Sequence, residues 1–556
     1  MNVEKLLINN KNIIENENII INFWKEKNIF KKNLKLNKNS KKFVFYDGPP
    51  FATGLPHYGH LISNIIKDLI TKFWSIKKRY VERIFGWDTH GLPIEMEVEK
   101  KLLLNGPKNI EKYGISNFNN ECRKMIFKYI NEWKHIIYFI GRWVEIEKSY
   151  KTMNIKYMNT VWWIFKKLWK KKLIEYKKKI IPYSVRLATP LSNFESNLDY
   201  REIETDSVIV KFKINKKKKT FALAWTTTPW TLLANCAISI NKNLQYVKIK
   251  HKINKEFYIL SKNSVENLFT FEEIDKKKII DNKFLLNLQY KNYNDKKTRK
   301  IINNKYINDK EGTGIVHISA NYGENDYKLS KKFYIKGINI LDEDCKIKTK
   351  KNFIFNKLSI KKCSEKIIKV YKKLNIILKI IKYKHKYPFC WRSGIPLIYK
   401  AIPTWRLKVK KIKNNLINNN KKINWIPCSV GEKRFGNWLK KIKNWNISRN
   451  RFWGTPIPIW ICNVCKKKKI IEDYKKIEKK SKKILPDIHL DKIDDLEINC
   501  SCGKGKLKRI KEIFDCWFDT GCMPLAYKNY PFKNKKINDF FPADFISEGL
   551  DQTRGW

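Results

Sequence analysis

Apolar and polar positions near the start of the chain predict a strand, a tight loop and a helix. Phe43 to Tyr46 form a short apolar and aromatic run, which is typical of a buried strand. Residues 47–56 are dense in glycine and proline and predict a loop. Apolar residues then recur at helical spacing at Leu61, Ile62, Ile65, Ile66, Leu69, Ile70 and Phe73. A nucleotide-binding α/β unit begins in this order, and its loop amides and helix N-terminus form an anion site.

Three other stretches extend the pattern. Residues 1–40 are polar apart from an apolar cluster at 19–24, and they predict an N-terminal helical extension. Residues 155–176 predict an amphipathic helix that packs in the core. Residues 207–290 contain short alternating runs such as SVIVKFKI and FALAWTTT, and they predict a β-rich segment.

The chain carries a large excess of positive charge. Its 556 residues include 117 Lys and Arg against 53 Asp and Glu, a formal net charge of +64. Such a charge favours nucleic acid, because basic side chains neutralise phosphates. Drift in an A/T-rich genome is the alternative, since segments such as KNIFKKNLKLNKNSKK combine Lys, Asn and Ile. The basic runs at Lys216 to Lys219 and Lys466 to Lys469 are expected to be solvated loops.

Cysteine usage and hydropathy bear on the compartment. Twelve cysteines in a chain long enough for several domains do not suggest a disulfide scaffold. No signal-peptide pattern and no apolar run long enough to span a bilayer is evident. A cytoplasmic location with no membrane partner is therefore expected.

Two histidines begin the predicted helix. His57 and His60 lie three positions apart and so share one face of the first turn, with Gly59 between them. Their N–H groups could stabilise charge that develops on a phosphate, and Gly59 would let a base or ribose approach the backbone. Taken alone, a His-x-x-His pair is a weak signal, and a structural pair is the simpler interpretation.

Four cysteines in Lys-rich segments are spaced like zinc ligands. Cys462 and Cys465 form C-x-x-C, and Cys500 and Cys502 form C-x-C. Four thiolates suit tetrahedral zinc, and a full Cys₄ set leaves no open position, so the site would be structural. These segments have little core to bury, which motivates a metal staple. The alternative is four unrelated free thiols.

Motifs along the chain resemble those of one enzyme family. GPPFATGLPHYGH resembles the ATP-binding motif of class I aminoacyl-tRNA synthetases, and GWDTHGLPIEMEVEK is similar to a segment of the isoleucyl enzymes. Further matches follow in the family's order as far as Trp556: PYSVRLATPLSNFE, AWTTTPWTL, GTGIVHISANYGENDY, YPFCWRSGIPLIYKAIPTW, WNISRNRFWGTPIPIW, DCWFDTG and FISEGLDQTRGW.

The resemblance implies a fold class and a domain order. It implies an α/β protein in which a Rossmann-like catalytic domain with a parallel sheet is interrupted by a β-rich editing domain and a small zinc-knuckle insertion. The implied order is an N-terminal extension (1–40), the first half of the catalytic domain (41–182), the editing domain (183–395), the catalytic body (396–460), the zinc insertion (461–510) and the second half of the catalytic domain (511–556).

The resemblance also implies an isoleucyl-adenylate site, with His57, Gly59 and His60 as catalytic residues. The ATP and adenylate contacts would be Pro49, Glu548, Gly549, Asp551 and Gln552. The isoleucine contacts would be Pro49, Asp88, Trp517, Gln552 and Trp556. A carboxylate at the strand end predicted before Asp88 could hold an ammonium. Without the resemblance, Asp88 and Asp551 would be interpreted as cap or turn residues.

An editing site is implied as well, because one methylene in a hydrophobic pocket separates isoleucine from valine by only about 1–3 kcal/mol, a limit for which the isoleucyl enzymes are themselves the standard example. Its residues would be Thr226, Thr227, Thr228, His317 and Asp326. Asp326 would bind the substrate ammonium and a positioned water would attack the ester. Ordinary β-propensity for the threonines and a structural role for His317 are the alternatives.

Three further expectations follow from comparison with the family's pattern. Ser319 to Asn321 stand where the family has Ala-Pro, which predicts a looser loop and weakened editing. Only Cys390 is placed for a second zinc site, which is expected to be absent. Arg449 and Arg451 could contact phosphate or the tRNA acceptor end, or could form ion pairs with the fold.

The implied activity is that of an isoleucine–tRNA ligase using L-isoleucine, ATP with Mg²⁺, and tRNA(Ile), with one structural Zn²⁺. A Lys-Met-Ser-Lys-Ser loop and an anticodon-binding domain are missing from the sequence, so the chain could be a fragment, one product of a split gene or a truncated sequence. The chain would then be a monomer or bind a separate C-terminal part. Two alternatives remain open: a deacylase of mischarged tRNA, and a non-catalytic, zinc-containing RNA-binding module.

Overall fold

The strand, loop and helix predicted from the hydrophobic pattern around residues 43–73 are present, and helices and strands continue to the end of the chain. The computed structural model describes residues 13–104, 106–192, 195–215, 217–342, 344–349, 353–533, 535–553 and 555–556. Residues 1–12 of the expected extension and Lys216 of the first basic run lie outside this set. The helices are α1 (Ile13–Glu26), α2 (Ile29–Leu36), α3 (Tyr58–Ile76), α4 (Leu92–Lys101), α5 (Pro107–Tyr113), α6 (Ile115–Phe139), α7 (Ile155–Lys170), α8 (Val265–Leu268), α9 (Asn282–Asn287), α10 (Glu324–Lys332), α11 (Ile360–Lys373), α12 (Lys413–Asn420), α13 (Gly436–Lys440), α14 (Tyr474–Ser481), α15 (Leu490–Ile493), α16 (Cys516–Gly521) and α17 (Met523–Ala526).

The strands are short in the first and last parts of the chain and longer in between. They are β1 (Phe45–Tyr46), β2 (Ile84–Trp87), β3 (Glu145–Lys151), β4 (Ile174–Ser184), β5 (Thr189–Pro190), β6 (Tyr200–Lys213), β7 (Thr220–Thr226), β8 (Ala237–Ile240), β9 (Tyr246–His251), β10 (Phe257–Ser261), β11 (Ile274–Ile280), β12 (Gln289–Lys291), β13 (Thr298–Asn303), β14 (Val316–Ile318), β15 (Ile377–Pro388), β16 (Ile398–Leu407), β17 (Trp445–Asn446), β18 (Ser448–Arg449), β19 (Ile459–Cys462), β20 (Lys468–Ile470), β21 (Ile498–Asn499), β22 (Lys506–Arg509), β23 (Ile513–Phe514) and β24 (Phe545–Ile546).

The chain divides into two units, one built from the residues up to Tyr176 and from Trp405 onward, the other from Lys177–Thr404. In the first unit, β1 pairs in parallel with β24, and β2 pairs in parallel with β3. Two isolated parallel bridges, Lys42 to Tyr80 and Phe51 to Asp88, join the β1 and β2 segments. All four strands therefore run in one direction, in the order β24-β1-β2-β3.

Apolar side chains pack on both sides of this parallel arrangement. Helices α4 and α6 bury Val98, Ile126 and Trp133 in a core with Phe85 and Trp87 of β2. Helix α7 buries its apolar side in a second core, where the rings of Trp162 and Trp460 meet edge to face at 5.9 Å. Two apolar cores thus pack against the parallel strands, an arrangement that is typical of parallel sheets.

The second unit is β-rich, as expected for 207–290. Its ten-stranded sheet runs in the order β11-β9-β10-β7-β14-β8-β13-β12, with β6 joining β7 to the long strand β15. Alternate residues of β6 and β7, such as Val208, Val210, Ala222 and Ala224, face one core. The editing domain expected at 183–395 lies inside this unit, and its function stays a prediction.

Most predicted elements are confirmed, with two corrections. The helix expected over 155–176 ends at Lys170, and β4 starts at Ile174. The basic run Lys466 to Lys469 is not all loop, because Lys468 and Lys469 belong to β20, which pairs with β19. Within the described residues, no helix is long and apolar enough to cross a membrane.

Candidate active site and cysteine cluster

Carboxylates cluster where the parallel strands of the first unit end. Asp47 follows β1, Asp88 follows β2, and Glu548 comes two residues after β24. Because the strands are parallel, their carboxyl ends meet at one edge of the sheet. Open α/β sheets bind ligands at this edge. The sequence-predicted adenylate and isoleucine residues come from the segments that meet here.

Lys67 of α3 bridges two of these carboxylates. Its Nζ lies 2.8 Å from Asp47 Oδ1 and 2.8 Å from Glu548 Oε1, and its side chain is buried. Glu548 Oε1 also accepts the backbone N–H of Gly48 at 2.8 Å. A Cβ on Gly48 would come within 2.4 Å of the same oxygen, so only glycine permits this contact. The loop after β1 is thereby tied to the segment after β24.

A second cation completes the charge balance around Asp47. Arg142 Nη2 lies 2.5 Å from Asp47 Oδ2, and the Tyr150 hydroxyl donates to the Asp47 backbone carbonyl at 2.6 Å. Burial raises the pKa of the Asp47 carboxyl, but Arg142 and Lys67 outweigh it and hold the pKa below its usual value. Burial is the largest effect on Glu548 and holds its pKa above the usual value.

His57 and His60 cap the N-terminus of α3. Gly59 N donates to His57 Nδ1 at 3.1 Å, and His57 N donates to His60 Nδ1 at 3.2 Å. Since both Nδ1 atoms accept a hydrogen bond, each neutral ring carries its proton on Nε2 and offers that N–H as a donor. Burial, with His57 and Lys67 nearby, lowers the pKa of His60 to about 4. His60 is therefore a neutral donor near pH 7.

Gly59 and Asp551 lie beside these rings. A Cβ on Gly59 would come within 2.9 Å of His57 Cε1, so the imidazole itself lies over the glycine. Asp551 is near enough to His60 to oppose the lowering of its pKa. The Asp551 carboxylate also lies 2.5 Å from where a Cβ of Gly549 would be.

The residues predicted to contact isoleucine also lie near one another. Asp88 N donates to Pro50 O at 2.9 Å, next to Pro49, and the Phe51 ring meets the Trp517 ring edge to face at 6.0 Å. Trp517 in turn lies 2.9 Å from where a Cβ of Gly555 would be. On the same side, Gln552 Oε1 accepts the backbone N–H of Trp556 at 3.1 Å.

The loop after Asp88 is fixed by a buried pair of histidines. His90 Nε2 lies 2.9 Å from His489 Nε2, and His90 Nδ1 lies 2.9 Å from Asp519 Oδ2. His489 Nδ1 lies 2.6 Å from Asp487 Oδ1 at the other end, and Trp453 stacks on His489 at 4.2 Å. This chain of hydrogen bonds links the loop to residues of the 461–510 insertion.

Arg449 and Arg451 form ion pairs with the fold, the second of the two alternatives. Arg449 Nη2 lies 2.8 Å from Asp515 Oδ2, and Arg451 pairs with Glu95 and Glu99. Both guanidinium side chains are buried, so neither is available to a tRNA phosphate.

The four predicted cysteines converge in the first unit. Cys462 ends β19, Cys465 lies in the turn before β20, and Cys500 and Cys502 lie in the turn between β21 and β22. Their sulfurs are all within 4.8 Å of one another. Cys462 and Cys502 Sγ are 3.7 Å apart, and Cys465 and Cys500 Sγ are 3.8 Å apart. Tetrahedral zinc with bonds of about 2.3 Å separates its sulfurs by about 3.8 Å, so the cluster fits that metal. A Cβ on Gly505 would lie 2.6 Å from Cys462 Sγ, which explains the glycine.

In the second unit, hydroxyl groups connect the predicted threonines to His317. Thr226 Oγ1 accepts the Thr228 backbone N–H at 3.2 Å, and Thr228 Oγ1 lies 3.1 Å from Thr231 Oγ1. Thr231 Oγ1 lies 3.0 Å from His317 Nε2, while His317 Nδ1 is buried without a hydrogen-bond partner. Thr227 lies in the bend between Thr226 and Thr228.

Asp326 lies close to the end of the strand that carries His317. Its Oδ2 accepts the Ser319 backbone N–H at 2.8 Å. Burial raises the pKa of Asp326 to about 6 and lowers that of His317 to about 4. Ser319 to Asn321 are buried, and Asn321 O accepts the Ala401 N–H at 2.8 Å. The weakened editing expected from this segment stays a prediction.

Several residues of these sites were missed by sequence reasoning. Lys67 lies in the segment whose apolar spacing predicts a helix. Polar residues recur in the same segment at spacings of three and four: His60, Asn64, Lys67, Thr71 and Ser75. This polar spacing indicates a second, polar side of the helix on which Lys67 lies. Arg142, Thr231 and His489 gave none, because the partners that matter here, Asp47, His317 and His90, are far away in sequence.

Comparison with known proteins agrees with this architecture. A family model described as tRNA synthetases class I (I, L, M and V) matches residues 19–556, and the chain belongs to that family. It is 40% identical over 560 residues to the cytoplasmic isoleucine–tRNA ligase of Mus musculus, covering 97% of this chain and 44% of that one. It is 42% identical over 553 residues to the isoleucine–tRNA ligase of Chlamydia trachomatis serovar L2, covering 97% and 52%.

The chain spans about half the length of the curated relatives it matches. Among solved structures it is similar to a LeuRS–tRNA–LeuAMS ternary complex from Agrobacterium radiobacter K84, with a TM-score of 0.41 and 16% identity, over 97% of this chain and 63% of that one. The assignment to the family comes from the sequence matches.

The Lys67 bridge generates a stability prediction. Lys67→Met would leave two buried carboxylates with a single cation, and removing one partner of a buried ion pair costs about 3–5 kcal/mol. Urea unfolding should show a loss of this size in the free energy of unfolding. The control Lys77→Met, at the exposed end of the same helix, should change it by less than about 0.5 kcal/mol. Equal losses in both variants would contradict the bridge.

Proposed function

We propose that this chain carries the amino-acid-activating site of an isoleucine–tRNA ligase. The observation that carries the proposal is that Asp88 and Trp517 both lie against Phe51 at one sheet edge, in a chain about 40% identical to isoleucine–tRNA ligases. The isoleucine ammonium binds the Asp88 carboxylate. Its branched side chain packs near Trp517, whose indole faces Phe51.

The reaction forms isoleucyl-adenylate from isoleucine and ATP, which enters with Mg²⁺. A carboxylate oxygen of isoleucine attacks the α-phosphorus, and the bond to the β-phosphate oxygen breaks to release pyrophosphate. The Nε2–H groups of His57 and His60 donate to the phosphate oxygens, where negative charge develops. The isoleucyl group then passes to a ribose hydroxyl at the 3′ end of tRNA(Ile), releasing AMP. No covalent enzyme intermediate is needed, since positioning supplies the acceleration.

The second unit supplies hydrolytic editing of valyl-tRNA(Ile). Asp326 binds the ammonium of the mischarged amino acid, and the hydroxyls of Thr226 to Thr228 position the ester and an attacking water. The neutral His317, held by Thr231, faces the same substrate. The enzyme acts in the cytoplasm, where tRNA is charged.

The four-cysteine cluster holds one structural zinc. The distances between its sulfurs support this assignment, and four thiolate ligands leave no position for a reacting water. The metal ties the two knuckles together across a Lys-rich sheet and so stabilises the insertion that reaches the His90 loop through His489.

Isoleucine-dependent exchange of pyrophosphate into ATP tests the activation proposal. The 556-residue chain should exchange with isoleucine, and with valine about 10–200-fold less well. His60→Ala should lower the exchange by about 10²–10³, since it removes a donor to the developing charge. The control His135→Ala, at an exposed position on α6, should leave it unchanged.

Other outcomes of the same assay favour other functions. No exchange, with valyl-tRNA hydrolysed and that hydrolysis lost in Asp326→Ala, would favour a deacylase. Binding of tRNA without either reaction would favour an RNA-binding module, for which the net charge of +64 is the supporting observation.

The titration of Asp326 predicts how editing depends on pH. Because burial raises its pKa to about 6, the carboxylate that binds the ammonium forms only as pH rises through that value. Valyl-tRNA hydrolysis should therefore increase through about pH 6, while His317, with a pKa of about 4, stays neutral. Asp326→Asn should abolish the increase, and Glu324→Gln, in the same helical turn, should retain it. An unchanged profile in Asp326→Asn would contradict the role.

Metal analysis tests the cysteine cluster. Purified protein should contain about one zinc per chain, and Cys462→Ser should lose it and unfold at lower urea concentration. Cys428→Ser, at an exposed cysteine outside the cluster, serves as the control and should keep the metal. Protein that is free of zinc and unaffected by Cys462→Ser would refute the site.

A further inference from the structure

A buried imidazole joins the two sides of the pocket proposed for isoleucine. Asp88 lies two residues before His90 in the loop after β2, and Trp517 lies two residues before Asp519 on α16. His90 Nδ1 lies 2.9 Å from Asp519 Oδ2, and both of these side chains are fully buried. This contact therefore links the loop that carries Asp88 to the helix that carries Trp517.

The backbone on both sides of this contact is anchored. In the loop, Trp453 Nε1 donates to Thr89 O, next to His90, at 2.6 Å. On the helix, the Tyr157 hydroxyl donates to Asp519 O at 2.8 Å. Because the loop and the helix are both short and held by hydrogen bonds, a change in the position of the His90 ring changes the geometry of both segments together.

His489 contacts the second nitrogen of the His90 ring. The two Nε2 atoms lie 2.9 Å apart, and His489 is buried, with Trp453 stacked on its ring at 4.2 Å. His489 belongs to the 461–510 insertion, and its Nδ1 lies 2.6 Å from Asp487 Oδ1. Asp487 also forms an ion pair with Arg123 of α6. The insertion thus contacts the loop after β2 through an imidazole.

This chain of contacts requires one proton more than two neutral imidazoles carry. Burial raises the pKa of the Asp487 carboxyl, but His489 and Arg123 outweigh it and hold the pKa below its usual value. Asp487 therefore accepts a hydrogen bond from His489 Nδ1. Three contacts along the chain, from Asp519 to Asp487, each need one proton, and two neutral imidazoles supply only two. Without the third proton, two nitrogen lone pairs would face each other across 2.9 Å between His90 and His489.

We infer that His489 is a positioning residue for isoleucine and acts through His90. The proton shared by the two rings fixes the loop that carries Asp88 relative to α16. The inference rests on the proposed activation site and deepens it, since it makes the cysteine-containing insertion part of amino-acid recognition. Asp88 holds the isoleucine ammonium in the ground state and in the transition state alike. Losing its support therefore weakens isoleucine binding without slowing the chemical step.

Calorimetric binding of isoleucine and pyrophosphate exchange test this role together. His489→Leu removes the nitrogen that faces His90 and should raise both the Kd and the KM for isoleucine about 10–100-fold, because a displacement of about 1 Å costs up to about 10²-fold. The kcat and the KM for ATP should stay unchanged. His489→Gln places an amide N–H near the position of Nε2 and should restore most of the loss. His135→Leu, the same substitution at an exposed histidine of α6, should change neither constant.

Nuclear magnetic resonance tests the shared proton without any activity assay. The chain has only eight histidines, so isotopic labelling of the histidine nitrogens gives few imidazole signals. The N–H between the two rings should exchange slowly with water, because it is buried. Its signal should be lost in His489→Leu and retained in His135→Leu.

Different results would overturn the inference and the proposed function. An unchanged Kd and KM for isoleucine in His489→Leu, or an equal defect in His489→Gln, would exclude a positioning role for the nitrogen. A rise in the KM for ATP as large as that for isoleucine, or no shared N–H signal in the unsubstituted chain, would also overturn it. A chain that binds isoleucine without exchange would refute the proposed activation, and the Kd values would then decide the inference alone. A chain that does not bind isoleucine would refute both.

Discussion

A buried ammonium held between two carboxylates organises the candidate active site. Lys67 contacts Asp47 at the end of the first strand and Glu548, whose carboxylate also accepts a hydrogen bond from Gly48, 500 residues earlier in the chain. Taking each of these charges out of water costs several kcal/mol, so the cluster is stable only when its charges balance. Arg142 supplies the second cation at Asp47. The cluster therefore specifies where the strand ends meet, and a change to any one member leaves a charge uncompensated.

One helix links this charge cluster to the chemistry of the site. The N-terminus of α3 places His57 and His60 so that their backbone bonds fix both tautomers, while the middle of the helix supplies Lys67. Because the polar side of α3 is used inside, its apolar side is left at the surface. The buried charge cluster and the exposed apolar side are thus two consequences of one orientation of α3.

The sequence predicts the elements better than their orientation. The apolar period from Leu61 to Phe73 correctly predicts a helix, but most of these apolar residues are exposed and none is buried. The buried charges at Asp47 and Glu548 favour Lys67 on the inner side. Periodicity gives the spacing of apolar residues along a helix. It does not show which side of the helix will be buried against segments that are distant in sequence. Motif resemblance puts Trp517 and Asp88 in one predicted pocket, and in the structure Phe51 lies against both residues. The resemblance does not reveal the contact of His90 with His489. These residues are 399 positions apart in sequence and are brought together only by the fold.

The central claim is that the carboxyl edge around the Lys67 cluster binds isoleucyl-adenylate. A crystal structure of the chain with a non-hydrolysable isoleucyl-adenylate analogue tests it most directly. The account predicts the phosphate mimic beside His57 and His60, the ammonium on Asp88, the aliphatic side chain near Trp517, and Lys67 still in contact with Asp47 and Glu548. An analogue bound away from this edge, or bound there with its ammonium remote from Asp88, would contradict the account.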